Sequence, residues 1–207
     1  MLTPRAFWFL RHGETDWNAR GLSQGNVDIP LNEVGMAQAR TAAGMLRTRG
    51  LHSIVASPLS RAHDTALVVA AMTGLAVALQ DDLREVRFGA QEGQPMADWF
   101  DDWLAGRMTP EGAESFADLR ARAVQAANRA LTHPAPVLVV AHGALFRALR
   151  AEMGLPVDVR LANGVPLFCE PGPPGAPWTL TPASAPASGA PAFDSPAFDA
   201  PAFDAPV

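Results

Sequence analysis

Residues 136–141 read PVLVVA, six positions without one polar side chain. A strand with one solvated face alternates apolar and polar residues, so an unbroken run of this length marks a strand covered on both sides. That demands helices above and below a sheet. Residues 6–10 (AFWFL) and 53–56 (SIVA) have the same character, and residues 76–79 are a weaker third copy. Helical stretches lie between them. Asn32 is placed to cap a helix carrying Val34, Ala39, Ala43 and Leu46 on one side, with Gly50 as its stop. Ser57-Pro58 is placed to open a second helix, reaching about Thr73 and ending at Gly74. Residues 81–95 read as an irregular loop, followed by helices near residues 96–106 and 115–131 and a last one over 143–153. This alternation predicts an α/β fold with a mostly parallel central sheet and helices on both faces.

The chain of 207 residues, 48% of them hydrophobic, is long enough for one sizeable core, and residues 1–182 read as one domain. From residue 183 the composition turns to Ala, Pro and Ser, and residues 190–204 repeat APAFD, SPAFD, APAFD. Prolines so frequent prevent a helix or central strand, so residues 183–207 are expected to be an extended tail. A second reading makes Phe193, Phe198 and Phe203 anchors for docking a partner. All 16 basic residues are arginine against 21 acids, a net charge of -5, and three of the acids lie in the tail. That balance gives no basic footprint for nucleic acid. The one cysteine, Cys169, excludes an internal disulfide and leaves a thiolate metal site short of ligands. The apolar stretch at the N-terminus is too short for a signal peptide, and no run reaches membrane-spanning length. A cytoplasmic protein with no membrane partner is the expectation, and a homodimer is left open.

Three polar stretches stand where a predicted strand ends: Arg11-His12-Gly13, Ser57 to Arg61, and His142-Gly143. Ligands of an open parallel sheet bind beyond the carboxyl ends of its strands, so these stretches converge on one pocket. Two arginines offer bidentate hydrogen bonds to a phosphate, and the amides of Gly143 and its neighbours at a helix N-terminus add donors. A neutral imidazole beside that phosphate can attack phosphorus if its other nitrogen is held. Arg11 would then bind the phosphoryl group and His12 would take it.

With these stretches the sequence resembles the histidine phosphatase superfamily, also called phosphoglycerate mutase-like. The resemblance rests on Arg11-His12-Gly13-Glu14-Thr15 with Trp17-Asn18, and on Ser57-Pro58-Leu59-Ser60-Arg61-Ala62 with Thr65-Ala66. It continues through Leu83-Arg84-Glu85, Phe88-Gly89 and Glu92-Gly93, then Gly112-Ala113-Glu114-Ser115, and ends at Ala141-His142-Gly143. It implies a three-layer α/β/α sandwich and a two-step reaction through phosphohistidine on His12. Arg11, Arg61 and His142 would surround the transferred group, with Asn18 and Gly143 as further phosphate contacts and Glu85 as proton donor. No metal or organic cofactor is implied. His63 falls at a variable place and is not counted as catalytic.

Competing readings fare worse. A histidine metal site lacks a His-x-x-x-His or Cys-x-x-Cys pair, and an NTPase lacks both the GxxxxGK[ST] loop and any lysine. His52 and His133 read as loop residues, Glu14 as structural, Trp99 and Trp103 as core, and Cys169 as a strand residue. Within the family, mutases carry a longer, basic insertion before the GxES segment. Here residues 94–111 are short and carry Asp98, Asp101 and Asp102 against Arg107. Acids over the entrance would repel a bisphosphorylated acid, which favours a histidine acid-type phosphatase acting on a small phosphorylated metabolite over a phosphoglycerate mutase. A non-catalytic phospho-ligand binding protein would have lost a reacting residue, and none is missing.

Overall fold

The computed structural model describes residues 1–184. The predicted tail therefore lies, from residue 185 on, outside the described residues. Six strands form one sheet in the order β3-β2-β4-β1-β5-β6. They are β1 (Phe7–Arg11), β2 (Ser53–Ala56), β3 (Val77–Leu79), β4 (Val137–Ala141), β5 (Pro166–Glu170) and β6 (Thr179–Pro182). The pairs β1–β4, β2–β4 and β2–β3 are parallel, while β5 and β6 add antiparallel to the far side of β1. The sheet is thus mostly parallel, as the apolar runs predict, and Cys169 lies in β5.

Because successive side chains on a strand point to opposite faces, each run supplies two cores. Phe7, Phe9, Val137, Val139 and Ala141 face one cluster, and Trp8, Leu10, Ile54, Leu138 and Val140 face the other. Helices α2 (Glu33–Leu46) and α3 (Ser60–Thr73) cover the second face. Helices α5 (Phe116–Ala130) and α6 (Gly143–Glu152) cover the first, and α5 turns Ala123, Ala126, Ala127 and Ala130 inward so that its backbone packs close. This is the three-layer α/β/α arrangement. Two short helices complete it, α1 (Asp16–Ala19) and α4 (Trp99–Leu104).

The helix signals hold with two corrections. Asn32 caps α2, its side chain accepting from Gly35 N at 2.8 Å. Ser57 does not cap α3, which starts at Ser60 with Leu59 in the cap position. Asp28 from a distant loop supplies the acceptor instead, at 2.8 Å from Ser60 N, and leaves the Ser57 hydroxyl for other work. Helix α4 covers only Trp99–Leu104 of the expected 96–106. Trp103 is fully buried and Trp99 packs edge-on against Phe88, so both belong to the core.

One backbone contact ties the first helical layer to the loop after β1. A Cβ added at Gly13 would meet Gly35 O at 2.2 Å, and one added at Gly35 would meet Glu14 O at 2.0 Å. The neighbouring atoms are backbone and have nowhere to go. Gly44, in the same helix, has nothing within 4 Å of an added Cβ. Gly35→Ala should therefore destabilise the protein by about 1–3 kcal/mol or more in urea unfolding, the cost of overpacking. Gly44→Ala should be stabilising by about 0.5–1 kcal/mol through helix propensity alone.

Candidate active site

Strand register brings the candidate residues together. Arg11 pairs with Ala141 across β1 and β4, so the next residues, His12 and His142, leave the sheet side by side, with His12 N donating to Ala141 O at 3.1 Å. Their rings are 5.2 Å apart. On the other side of β4, Ala56 pairs with Val140, which sets Ser57 beside the same strand end. Arg61 enters from the first turn of α3. A cavity of about 280 Å³ opens here, lined by Arg11, His12, Asn18, Arg61, Glu85 and Gly143 among others.

His12 is 2% exposed, and its Nδ1 lies 2.7 Å from Gly13 O. A carbonyl only accepts, so Nδ1 carries the proton and Nε2 keeps its lone pair. Burial first, then the charges of Arg61 and Arg11, hold the imidazole well below its ordinary pKa despite the Gly13 hydrogen bond. His12 is therefore a neutral imidazole with one free nitrogen. His142 is lowered in the same way, by burial and then by Arg61, His12 and Arg11. It is fully buried beside His12 and is not among the residues that line the cavity, with Nε2 2.7 Å from Ser57 Oγ and Nδ1 buried without a protein partner. Ser57 Oγ also accepts from Leu59 N at 3.3 Å. Its own proton can then go to Nε2, which makes Nδ1–H the donor.

The two arginines are held by backbone carbonyls. Arg11 donates to Leu161 O at 2.6 Å, and Arg61 to Val27 O and Gly25 O at 2.8 Å each. Burial lowers both to about 10, with the charge of Glu85 acting against it, so both stay cationic at neutral pH. Neither meets a carboxylate within salt-bridge distance among the described residues, and the Nε of each is buried without a protein partner. The Asn18 side-chain oxygen accepts from Asn163 Nδ2 at 3.1 Å and from Thr15 N at 3.3 Å, which leaves its NH₂ for the cavity. The result is a small pocket rich in cationic and neutral donors, suited to a phosphate group.

Glu85 lines the same cavity, is 8% exposed, and accepts from Ala144 N and Leu145 N at 2.9 Å and from Val86 N at 3.0 Å. Two of the α6 amides expected to bind phosphate are thus occupied by this carboxylate. Gly143 serves by its size, since a Cβ there would lie 3.3 Å from Arg11 Nε. Oε1 accepts two of the three bonds and Oε2 one, so Oε2 has room to carry a proton. Glu14 stays out of the cavity wall and accepts from Asn32 Nδ2, a structural contact.

Asn163, Arg147 and Arg160 escape sequence reasoning, as does the task of Ser57 at the pocket its stretch is expected to reach. Ser57 reads as a helix cap because nothing local tells that its hydroxyl meets His142. Asn163 reaches His12 O at 3.0 Å from a loop 151 residues away. Arg147 and Arg160 line the cavity. Asp98, Asp101 and Asp102, read as an acidic entrance, do not; Asp102 pairs with Arg107 on the outside. Among the described residues no three His, Cys, Asp or Glu side chains are grouped to hold a metal ion.

Fold and site define a three-layer α/β/α protein with a buried histidine pair and two arginines at the ends of its parallel strands. Residues 7–162 match the profile of the histidine phosphatase superfamily (branch 1), and the chain belongs to that family. It is 35% identical over 175 residues to a glucosyl-3-phosphoglycerate phosphatase of Mycolicibacterium vanbaalenii, across 74% of this chain and 76% of that one. A probable phosphoglycerate mutase, GpmB of Yersinia pestis, is 36% identical over 173 residues, across 75% and 80% of the two chains. The native structure of a mycobacterial glucosyl-3-phosphoglycerate phosphatase superposes with a TM-score of 0.72 at 31% identity, across 88% of this chain and 99% of that one. The match also spans 42% of the length of larger relatives from Mycobacterium tuberculosis and Mycobacterium bovis, 38% identical over 154 residues. No helix among the described residues is long and apolar enough to cross a membrane.

The lowered histidines make acid stability a readout of the site. Unfolded imidazoles bind a proton near pH 6.5, whereas His12 and His142 in the folded chain do so only well below that. As pH falls through 6.5 the unfolded state takes up protons first, and stability is lost by up to about 1.4 kcal/mol per pH unit for each histidine. Urea unfolding at pH 7.5 and 5.5 should show this loss, and the double variant His12→Gln, His142→Gln should show a shallower slope.

Proposed function

We propose that the protein is a phosphomonoesterase that hydrolyses a small phosphorylated metabolite through a phosphohistidine on His12. The observation that carries this reading is the His12 Nδ1–Gly13 O hydrogen bond in a buried, neutral imidazole flanked by two arginines. It leaves one nitrogen lone pair free beside two fixed cations.

In the first step, Arg11, Arg61 and the Asn18 NH₂ take the non-bridging phosphate oxygens. Nε2 of His12 attacks phosphorus in line with the bridging oxygen. The P–O bond breaks as a proton passes from Glu85 Oε2 to that oxygen, so the leaving group departs as an alcohol rather than an alkoxide. The arginines offset the charge gathering on the phosphoryl oxygens in the transition state. In the second step the Glu85 carboxylate removes a proton from water, and the resulting hydroxide character attacks phosphorus. The N–P bond breaks, its electron pair returns to Nε2, and inorganic phosphate leaves. The three amides on Glu85 hold it in place while its proton comes and goes.

The mutase reading keeps one observation in its favour, the probable phosphoglycerate mutase among the relatives. Its first step is the same, and the phosphoryl group then returns to an organic acceptor. The acidic entrance no longer argues against it, because those aspartates lie outside the cavity wall. The phosphatase reading is supported instead by the short segment 94–111 and by the relatives named as phosphatases.

Release of inorganic phosphate across a metabolite panel tests the reading, and Glu85→Gln tests the acid. The substitution keeps the shape and removes the transferable proton. For an alkyl phosphate, kcat/KM should fall by about a hundred to ten thousand fold, the usual scale of general acid catalysis. p-Nitrophenyl phosphate leaves as a stable anion and should lose far less, with kcat/KM compared so that a shared second step does not mask the difference. Equal losses would move the proton donor elsewhere.

A further inference from the structure

A second cavity, of about 450 Å³, opens against Trp8, Pro136 and Phe168, with Arg49 and residues 181–184 completing its lining. Its floor is aromatic, with the rings of Trp8 and Phe168 5.1 Å apart. The Arg49 guanidinium lies 5.5 Å over the Trp8 ring, donates from Nε to Met45 O at 3.3 Å and from Nη2 to Ser184 O at 3.4 Å. These contacts hold the group in place and leave Nη1 to meet an acceptor. No carboxylate lies within salt-bridge distance of Arg49 among the described residues. An aromatic floor beside such a cation suits an occupant that carries a ring and a carboxylate close together.

The chain carries that combination three times, as Phe193-Asp194, Phe198-Asp199 and Phe203-Asp204 of the five-residue repeat. Proline fixes its own φ and keeps the residue before it extended. In the polyproline-II form, with three residues per turn, successive side chains diverge by about 120°, so a ring aimed into a groove sends the next carboxylate along its rim. The path of the chain leads to this place. Ala183 N donates to Pro166 O at 2.9 Å and Ser184 O accepts from Arg49, so the described residues end in the groove wall. Phe193 is nine positions further on. A spacer of that length has a root-mean-square span of about 15–18 Å, which suits a groove that begins at Ser184, and Ser188-Gly189 supplies a place to turn. A tether this short holds a segment at an effective concentration on the order of 1 mM, against which any partner from solution has to compete.

We propose that this groove is the docking site of the chain's own repeat, which it takes one Phe-Asp unit at a time. The Phe ring lies on Trp8 and Phe168, and the Asp carboxylate pairs with Arg49. One groove faces three equivalent units, so docking survives the loss of any one of them. None of the residues lining this groove lines the phosphate cavity, and the inference stands apart from the phosphomonoesterase reading.

The test follows the Trp8 indole N–H resonance in the full chain by NMR, with Trp8→Phe to assign it. Replacing Phe193, Phe198 and Phe203 together by Ala should shift that resonance, while each single replacement should leave most of the wild-type position, because two units remain. A synthetic peptide with the sequence of residues 190–199 should bind the triple variant and move the resonance back. It should bind the wild-type chain about tenfold more weakly, because the tethered units compete. Arg49→Gln in the triple variant should weaken the peptide about tenfold or more, the scale of a hydrogen bond between charged groups. Arg49→Glu should do the same and should recover binding to a peptide in which both Asp are replaced by Lys, a recovery that general damage to the fold would not give. An unchanged Trp8 resonance in the triple variant, or equal peptide affinity for the triple variant and the wild-type chain, would overturn the proposal. So would a wild-type Trp8 position that moves with protein concentration alongside a dimer in sedimentation, which would put a second copy's repeat in the groove.

Discussion

The structure depends on the parallel pairing of β1 with β4 in a single register. Arg11 lies opposite Ala141, and both strands end there. The next residue on each strand is a histidine, so one ladder of backbone hydrogen bonds sets the two rings 5.2 Å apart. A slip of one residue would send every side chain of a strand to the opposite face and remove the pair. The apolar runs that bury both faces of the sheet thus also fix the chemistry at its end.

Burial then decides the charge state of what it has assembled. An imidazole in water is half protonated near pH 6.5, and a protonated ring has no lone pair to offer phosphorus. Desolvation and the two arginines disfavour that proton on His12 and His142. The arginines remain charged because their N–H groups are paired with carbonyls and because Glu85 stands near. Glu85 in turn is held by three amides, two from the start of α6, where the helix dipole favours negative charge. Histidines, arginines and carboxylate are therefore one coupled electrostatic unit.

Much of this was legible in the sequence because it is written locally. Runs such as PVLVVA announce strands buried on both faces, and polar residues at their ends announce a site. What escaped is what tertiary placement decides. The Ser57 hydroxyl looks like a cap until Asp28, from another loop, takes that task. The Ala144 and Leu145 amides look like phosphate donors until Glu85, about sixty residues earlier in the chain, is found on them. Arg147 is one arginine among 16 until the turn of α6 brings it beside Gly143 in the cavity wall. The aspartates before it misled for the same reason, since a charge near the site in sequence need not face it.

The central claim is that the phosphoryl group visits His12 before it reaches water. Stereochemistry at phosphorus reads this directly. A turned-over substrate whose phosphoryl group is made chiral with oxygen isotopes, transferred to an alcohol acceptor supplied in excess, reports the number of displacements. Two in-line steps through phosphohistidine each invert the centre, and net retention is the predicted result. Net inversion would mean that the acceptor attacks the substrate directly, and His12 would then be a base or a binding group and not the nucleophile.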